Sequence, residues 1–286
     1  MRHCGLLAAG AILTALSLAL PAVAFDDAKY PDLNGQWTRL PPAFGGQPTW
    51  DSSKPWGTGQ EAPLTPEYQA IFEANEADQA VGGFGTTTGW RCLAWGMPAM
   101  MMDFQPMEII VLPEVTYIRT SDTQFTVRRI FTDGRDWPAH IEPAFRGGLA
   151  VGRWLDRAGS GHYDALEVET RGFKGPRVYD ASGIPLHADN QSIIKELFYL
   201  DRADHNILRD EITVIDHALT RPWTVTKGFR RTGGARPEWG EYVCADGQSH
   251  VAIGNESYYL SAEGMLMPQK KDQPPPDLRY FKQAGH

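Results

Sequence analysis

The feature that most constrains the fold is a run of strand-like segments over residues 124–231. Turn residues separate these segments, and no segment with a long helical period lies between them. Alternation of apolar and polar residues is typical of half-buried β-strands, and turn residues at short intervals are typical of an antiparallel meander. In several of these segments a charged residue has the phase of the apolar face of its own strand. Burying a charge is costly unless it meets a partner or water. The pattern therefore predicts a β-structure with a polar-lined interior.

About nine strands are predicted in all, a number that suits a closed antiparallel barrel because closure removes exposed edges. The predicted strands span residues 34–39, 108–112, 115–119, 124–131, 149–156, 163–170, 193–200, 207–216 and 223–231. Pro113-Glu114 joins the second and third strands into a hairpin, and Asp133-Gly134 turns the chain after the fourth. The predicted fold class is thus mainly β, a barrel of about eight or nine strands with long loops.

One helix is predicted before the meander. Tyr68, Ile71 and Phe72 recur at helical spacing, with Thr65 as the N-cap and Pro66 in the first helical position. We expect this amphipathic helix to run to about residue 79 and to cover a mouth or a side of the sheet.

The first 24 residues are typical of an export signal, with a basic start at Arg2, an apolar run over residues 6–20 and the small-residue cleavage site Ala22-Val23-Ala24. The apolar run is shorter than the roughly 20 residues of a transmembrane helix. We expect a cleaved signal peptide over 1–24, a single β-barrel domain over 25–267 and a Pro-rich C-terminal tail over 268–286. The mature protein is then periplasmic or secreted, without a membrane span.

Charge and cysteines restrict the partners and the redox state. Removing the signal leaves 26 of the 27 basic residues against 35 acidic ones, a formal charge of −9, which disfavours nucleic acid and anionic membranes. Cys92 and Cys244 remain after cleavage, and an oxidising compartment lets them pair. Closing so long a loop stabilises by at most about 5 kcal/mol. Two buried thiols are the alternative.

Several dispersed motifs carry a family resemblance. They are Asp133-Gly134-Arg135 followed by Pro138, Gly152-Arg153-Trp154, residues 166–170, Arg221-Pro222-Trp223-Thr224 and Glu241-Tyr242-Val243-Cys244. With these motifs the chain resembles a large group of exported bacterial proteins, mostly without assigned function, and Gly35-Gln36-Trp37 is similar to the signature that opens the first lipocalin strand. The resemblance implies a lipocalin-like barrel and supplies no reaction. Many relatives have histidine where this chain has Trp137, so a function of that histidine does not transfer.

Strand phase brings two acids and an amine toward the interior. Glu196, Asp210 and Lys227 each have the phase of the apolar residues of their strands. If residues 201–206 form a hairpin, matching the apolar faces sets Glu196 opposite or diagonal to Asp210, and Lys227 beside Ile212 and diagonal to Asp210. We expect a raised pKa for one acid, while Lys227 lowers the pKa of the other. The cluster suits acid–base chemistry, and a buried ion network that holds the register is the alternative.

Other titratable residues lie at strand ends. His187, in a loop between strands, is the preferred proton carrier at the barrel mouth, with an exposed or capping histidine as the alternative. Asp216 and His217 are further ligand-binding candidates, but adjacent strand residues point to opposite faces. Arg135, after the turn, suits a ligand carboxylate or phenolate, or else a surface pair with Asp133 or Asp136.

Arg129 and Trp223 complete the predicted ligand-binding set. Residues 124–131 alternate, which puts Arg129 on the same face as Val127 and Phe131. Trp223 has the phase of the apolar residues that follow it, and tryptophan suits contact with an aromatic ligand. Both side chains are therefore expected to face the cavity.

Metal and cofactor motifs are weak. His187-x-Asp189 together with Asp216-His217 offers nitrogen and oxygen ligands, but the spacing matches no tight metal motif. No nucleophile elbow, His-Glu-x-x-His, Cys-x-x-Cys or dinucleotide fingerprint occurs. We therefore expect neither a metal nor an organic cofactor.

The leading functional hypothesis is binding of a small, largely apolar or aromatic molecule in a cavity bearing the Glu196, Asp210 and Lys227 cluster. The first alternative is a cofactor-independent acid–base enzyme, such as a lyase, hydratase or isomerase, that uses the same cavity with His187. The second is a structural or partner-binding envelope protein with a filled interior.

Overall fold

Nine strands form a closed barrel, in the order in which they occur in the chain. The structure is a computed structural model that describes residues 26–40, 62–86, 93–102, 106–120, 127–143, 147–233, 250–254 and 256–277. The barrel strands are β1 (Gly35–Arg39), β2 (Met107–Val111), β3 (Val115–Thr120), β4 (Val127–Phe131), β5 (Leu149–Leu155), β6 (Ala165–Arg171), β7 (Ile193–Leu200), β8 (Ile207–Ile215) and β9 (Trp223–Arg231). The predicted mainly β fold and its barrel are confirmed.

The pairing of β4 with β5 is parallel, whereas every other neighbouring pair in the described barrel is antiparallel. A ring with an odd number of strands cannot alternate direction all the way round. Because β1 and β9 close the ring as an antiparallel pair, one parallel pair must occur elsewhere. The turn at Asp133-Gly134 therefore does not start a hairpin, because the next strand, β5, runs parallel to β4.

The closing pair of strands is fixed by Trp37 and Arg231, which face each other in the register. The guanidinium of Arg231 lies 4.3 Å from the centre of the Trp37 ring, a cation–π contact. The same guanidinium donates hydrogen bonds to the carbonyl oxygens of Asn34 (2.7 Å) and Asp32 (2.6 Å). Trp37 is fully buried, and its Nε1 donates to the Leu33 carbonyl. This clamp holds the turn before β1 against the last strand.

The helix α1 (Pro66–Ala80) starts where the sequence predicts. The hydroxyl of Thr65 accepts a hydrogen bond from the Tyr68 N–H at 3.4 Å, which caps the first turn. The helix buries Asn75, whose side-chain amide donates to the carbonyl oxygens of Ser182 (3.3 Å) and Gly183 (3.4 Å). These bonds hold α1 over the loop between β6 and β7.

A separate three-stranded sheet follows the barrel, and the sequence analysis did not predict it. Its strands are β10 (His250–Ile253), β11 (Glu256–Leu260) and β12 (Leu266–Pro268). In the segment after β12, the Lys270 ammonium lies 2.7 Å from Glu256 and 3.1 Å from Asp78 of α1. The beginning of the predicted C-terminal tail is thus joined to the helix by one ion pair and to β11 by another.

The phase of β4 differs from the predicted one. Val127 and Arg129 are exposed, whereas Arg128 and Ile130 are buried. Arg128 faces the interior because its guanidinium binds the buried carboxylate of Glu196 on the other side of the barrel. Arg129 lies outside, 5.9 Å from the centre of the Tyr117 ring, and so does not face the interior.

Two predictions lie outside the described residues. Cys92 and Cys244 are not among them, and neither are residues 1–24, so the disulfide and the export signal stay predictions. Within the described part of the chain, no helix has both the length and the apolar character needed to cross a membrane.

Candidate functional site

Three neighbouring strands turn Glu196, Asp210 and Lys227 into the barrel, with exposures of 2%, 0% and 3%. Glu196 of β7 pairs with Ile212 and is therefore diagonal to Asp210, as predicted. Lys227 pairs directly with Asp210, not with Ile212, so its predicted position is wrong by two residues. Matching apolar faces cannot detect such a shift, because moving a strand by two residues keeps the same side chains inside.

The Glu196 carboxylate is paired with Arg128, which the sequence analysis missed. The guanidinium of Arg128 donates to both carboxylate oxygens, with Nη1 2.7 Å from Oε1, and Nη2 also donates to the Thr170 hydroxyl at 3.0 Å. All three side chains are buried. The bidentate geometry is the strongest form of an Arg–carboxylate contact. Arg128, rather than Lys227, is therefore the cation that compensates Glu196.

Asp210 is fully buried, and its two carboxyl oxygens accept no hydrogen bond from any residue that the structure describes. Its pKa is raised well above the usual value, first by burial and then by the nearby Glu196 carboxylate, while Arg128 and Lys227 act in the opposite direction. Burial disfavours the charged form of an acid more strongly than these cations favour it. Asp210 therefore keeps its neutral, protonated form over a wider pH range than an exposed aspartate does.

Lys227 faces this acid across the β8–β9 pair. Burial lowers its pKa from 10.5 to about 7, with a further lowering from Arg39 and an opposing effect from Asp180 and Asp210. An amine whose pKa lies near neutrality exists in both protonation states at physiological pH. Lys227 can therefore accept or donate a proton there.

A buried phenol, that of Tyr179, is near enough to Asp210 for the two groups to interact electrostatically. Tyr179 is fully buried, and its hydroxyl makes no hydrogen bond within the described part of the chain. Burial raises its pKa, and the charges of Asp180 and Asp210 raise it further. Its ring packs on Trp223 with 4.3 Å between centroids. Trp223 is thus at the interior, as predicted, and its partner Tyr179 is a site residue that the sequence analysis missed.

This polar group is set in an apolar core. Phe198 pairs with Asp210 in the register of β7 and β8. The buried core cluster that contains Phe198 also contains four methionines, Met97, Met100, Met101 and Met102. Methionine side chains are flexible and can repack around different shapes. A neutral acid, a phenol and a titratable amine in such surroundings can hold an oxygen that carries negative charge, and the amine can transfer a proton.

A second group of candidate residues lies outside the strands, at the end of the barrel where β7 begins and β8 ends. A ring nitrogen from each of His187 and His217 and a carboxylate oxygen of Asp189 lie within 4.8 Å of one another. Asp216 is buried beneath them, while His217 is exposed, which agrees with the expectation that the two neighbours point to opposite faces. The ring of His187 contacts His217 and also Tyr68 of α1, each at 5.5 Å.

Arg135 lies neither in the barrel interior nor in the group formed by His187, Asp189 and His217. Its guanidinium stacks on Phe131 at 3.7 Å and forms a bidentate pair with Asp133, the predicted surface alternative. It lines a groove of about 670 Å³ on the outer face of β5–β8, together with Trp137 and charged side chains of both signs. A ligand role of Arg135 would therefore belong to the outside of the barrel.

Comparison with family models, with curated proteins and with solved structures yields no match. The barrel agrees with the lipocalin-like architecture that the resemblance implies. Membership of the exported family has no support from these comparisons, so the argument for function depends on the residues themselves.

Proposed function

We propose that this protein, after export, binds a small, largely apolar or aromatic molecule inside the barrel, and that Asp210, Tyr179 and Lys227 hold the polar atom of that molecule. The observation that carries the proposal is Asp210, a fully buried carboxyl group whose oxygens accept no hydrogen bond from the described residues.

Such a group lowers the stability of the folded protein and makes no contact that would compensate for its burial. A buried polar group without a partner costs about 1–3 kcal/mol, and an apolar side chain of similar shape removes that cost. The Tyr179 hydroxyl adds a second group of the same kind. Two buried polar groups without hydrogen-bond partners call for an explanation, and a bound ligand atom that completes their hydrogen bonds supplies one.

The charge state of the three groups selects the ligand. A neutral carboxylic acid and a phenol both donate hydrogen bonds, and a protonated Lys227 adds a positive charge. A tyrosine beside a neutral aspartic acid is an arrangement that stabilises an oxyanion. The ligand class that fits is an aromatic or apolar molecule with a phenolate, enolate or carboxylate oxygen. The side chains that enclose the carboxyl oxygens of Asp210 must move to admit it.

The chromophore 4-nitrophenol is a suitable probe, since its absorbance reports ionisation. We expect the wild type to bind it as the phenolate at a pH where the dissolved probe is neutral. Asp210→Leu should lose this binding and keep or raise the melting temperature, because the substitution removes an orphaned buried acid. The variant Lys195→Met, which removes an exposed lysine of β7, is the matched control. Binding that Asp210→Leu leaves intact would refute the proposal, and absence of binding by the wild type would favour a filled, structural interior.

One observation favours the enzymatic alternative, namely the pKa of about 7 at Lys227. The neutral fraction of such a lysine at physiological pH is a nucleophile toward carbonyl carbon as well as a base. Treatment with benzaldehyde and cyanoborohydride at pH 7, followed by peptide mapping, tests this reactivity. Preferential alkylation of Lys227 over exposed lysines supports an acid–base or imine-forming enzyme, whereas modification of exposed lysines alone speaks against it.

A further inference from the structure

We propose that His187, Asp189 and His217 form a binding site for one divalent transition-metal ion, with zinc as the best match, at the end of the barrel outside the interior cluster. A ring nitrogen from each histidine and a carboxylate oxygen of Asp189 lie within 4.8 Å of one another. The sequence analysis set this ligand set aside because its spacing fits no motif. The fold brings the three side chains together, and the site does not depend on the proposed function of the interior.

The donor atoms select the class of metal. Two imidazole nitrogens and one carboxylate oxygen suit zinc and the neighbouring first-row ions, whereas calcium and magnesium take oxygen ligands. Zinc bonds of about 2.0–2.2 Å put tetrahedral ligand atoms about 3.3–3.5 Å apart. Nδ1 of His187 lies 3.2 Å from Oδ1 of Asp189 and accepts the Asp189 N–H at 3.1 Å, so a metal bond to this nitrogen replaces that hydrogen bond. Nδ1 of His217 forms a hydrogen bond with the other carboxylate oxygen of Asp189. A metal ion that replaces the proton of this hydrogen bond is bound by both residues.

The buried carboxylate of Asp216 positions both histidine-bearing segments. Its Oδ1 accepts the His187 N–H at 2.9 Å and the Ala218 N–H, next to His217, at 2.8 Å. Its Oδ2 accepts a hydrogen bond from the Ser192 hydroxyl. Two loops that are distant in sequence are therefore fixed to one acid. Asp216 is a positioning residue of the site, and it leaves only side-chain rotation to close the ligand sphere.

The exposures of the three ligands leave the outer side of the site open. The side chains of His217, His187 and Asp189 are 66%, 36% and 25% exposed. Because His217 is exposed, its ring can rotate to bring ligand atoms that are up to 4.8 Å apart to the about 3.5 Å that tetrahedral bonding requires. Three protein ligands with a solvent-facing fourth position are typical of zinc sites that bind water or a small anion, rather than of closed structural sites.

Zinc uptake by the full mature chain without an affinity tag tests the proposal. The metal-free protein is titrated with zinc in competition with the chromophoric chelator 4-(2-pyridylazo)resorcinol. We expect one zinc per chain for the wild type. His217→Ala and Asp189→Asn should weaken binding by more than the about 10- to 100-fold that loss of a supporting hydrogen bond costs. His140→Ala is the matched control, because it removes an exposed imidazole that lies 3.4 Å from the Glu142 carboxylate. This variant should bind zinc as tightly as the wild type does.

Two further measurements separate ligation from folding. Zinc should raise the melting temperature of the wild type and of His140→Ala, and leave that of His217→Ala unchanged, since only a bound ligand stabilises the folded state. Asp216→Asn, checked for folding by circular dichroism, should weaken zinc binding by about 10- to 100-fold. Failure of the wild type to take up one zinc, or equal affinity of the wild type and His217→Ala, would overturn the proposal.

Discussion

Replacing Lys227 by methionine should change how the stability of the protein depends on pH. Burial lowers the pKa of Lys227 from 10.5 to about 7 in the folded protein. A lowering of about 3.5 pH units, at about 1.4 kcal/mol for each, corresponds to about 5 kcal/mol. Below pH 7 the folded and unfolded chains both hold the proton, so the folded protein bears the full cost of the buried charge. Between pH 7 and 10.5 only the unfolded chain holds the proton, and stability rises with pH.

Urea unfolding, followed by tryptophan fluorescence at half-unit steps from pH 7.5 to 9.5, measures this effect. The free energy of unfolding of the wild type should rise by about 1.4 kcal/mol per pH unit more than that of Lys227→Met. Lys195→Met removes a lysine whose side chain is half exposed on the outer face of β7, and it should keep the wild-type slope.

Parallel pH profiles for the wild type and Lys227→Met would refute the reasoning. That result would mean that Lys227 keeps its proton in the folded protein, through contact with water or through full compensation by its neighbours. The proton-transfer role of Lys227 would then lose its basis.

Three further predictions concern stability at pH 7, measured by the same urea unfolding. Glu196→Gln should destabilise by about 3–5 kcal/mol, because it leaves the buried guanidinium of Arg128 uncompensated; an effect below 1 kcal/mol would mean that water reaches the pair. Asp210→Asn should stabilise the protein at pH 7, because the unfolded wild-type chain ionises this acid above about pH 4 while the folded protein keeps it protonated, and the difference should grow by about 1.4 kcal/mol for each pH unit up to the raised pKa of Asp210. Since the pKa of Asp210 is raised, its contribution is full at low pH and is lost as the pH rises through that pKa, so a large loss at pH 7 in Asp210→Asn would contradict the neutral state. Arg231→Ala should cost about 2–5 kcal/mol through loss of its contact with Trp37 and two charge-assisted hydrogen bonds, and a change within error would show that the clamp does not stabilise the closed barrel.

The strands that the sequence predicted best are those with a dense apolar face. In β8 and β9 the apolar residues at alternate positions outnumber the charged ones, so the phase is clear, and Asp210 and Lys227 were placed inside from their phase alone. In β7 each face carries three apolar residues and one charged residue, so the correct inward position of Glu196 also depended on matching β7 to β8. In β4 the apolar residues Val127, Ile130 and Phe131 do not share a phase. The inward position of Arg128 depends on Glu196, which is 68 positions away in the chain, and a single sequence holds no signal for that pair.

The remaining differences between the predicted and the observed sites concern residues in loops. Tyr179 and the cluster of His187, Asp189 and His217 lie outside strands, where neither phase nor spacing specifies a direction. Their positions follow from long-range hydrogen bonds, such as those that Asp216 accepts from both histidine-bearing segments. That a closed ring of nine strands contains at least one parallel pair follows from the strand number alone, but only the structure shows that this pair is β4–β5.

Infrared difference spectroscopy of the wild type minus Asp210→Asn at pH 7 tests the central claim most directly. We predict the carbonyl stretch of a neutral carboxylic acid, at the high frequency of a group without a hydrogen-bond partner, and a shift to lower frequency when 4-nitrophenol is added. A difference spectrum with carboxylate bands alone, or a neutral band that does not move on addition of the probe, would contradict a neutral interior acid that receives a ligand.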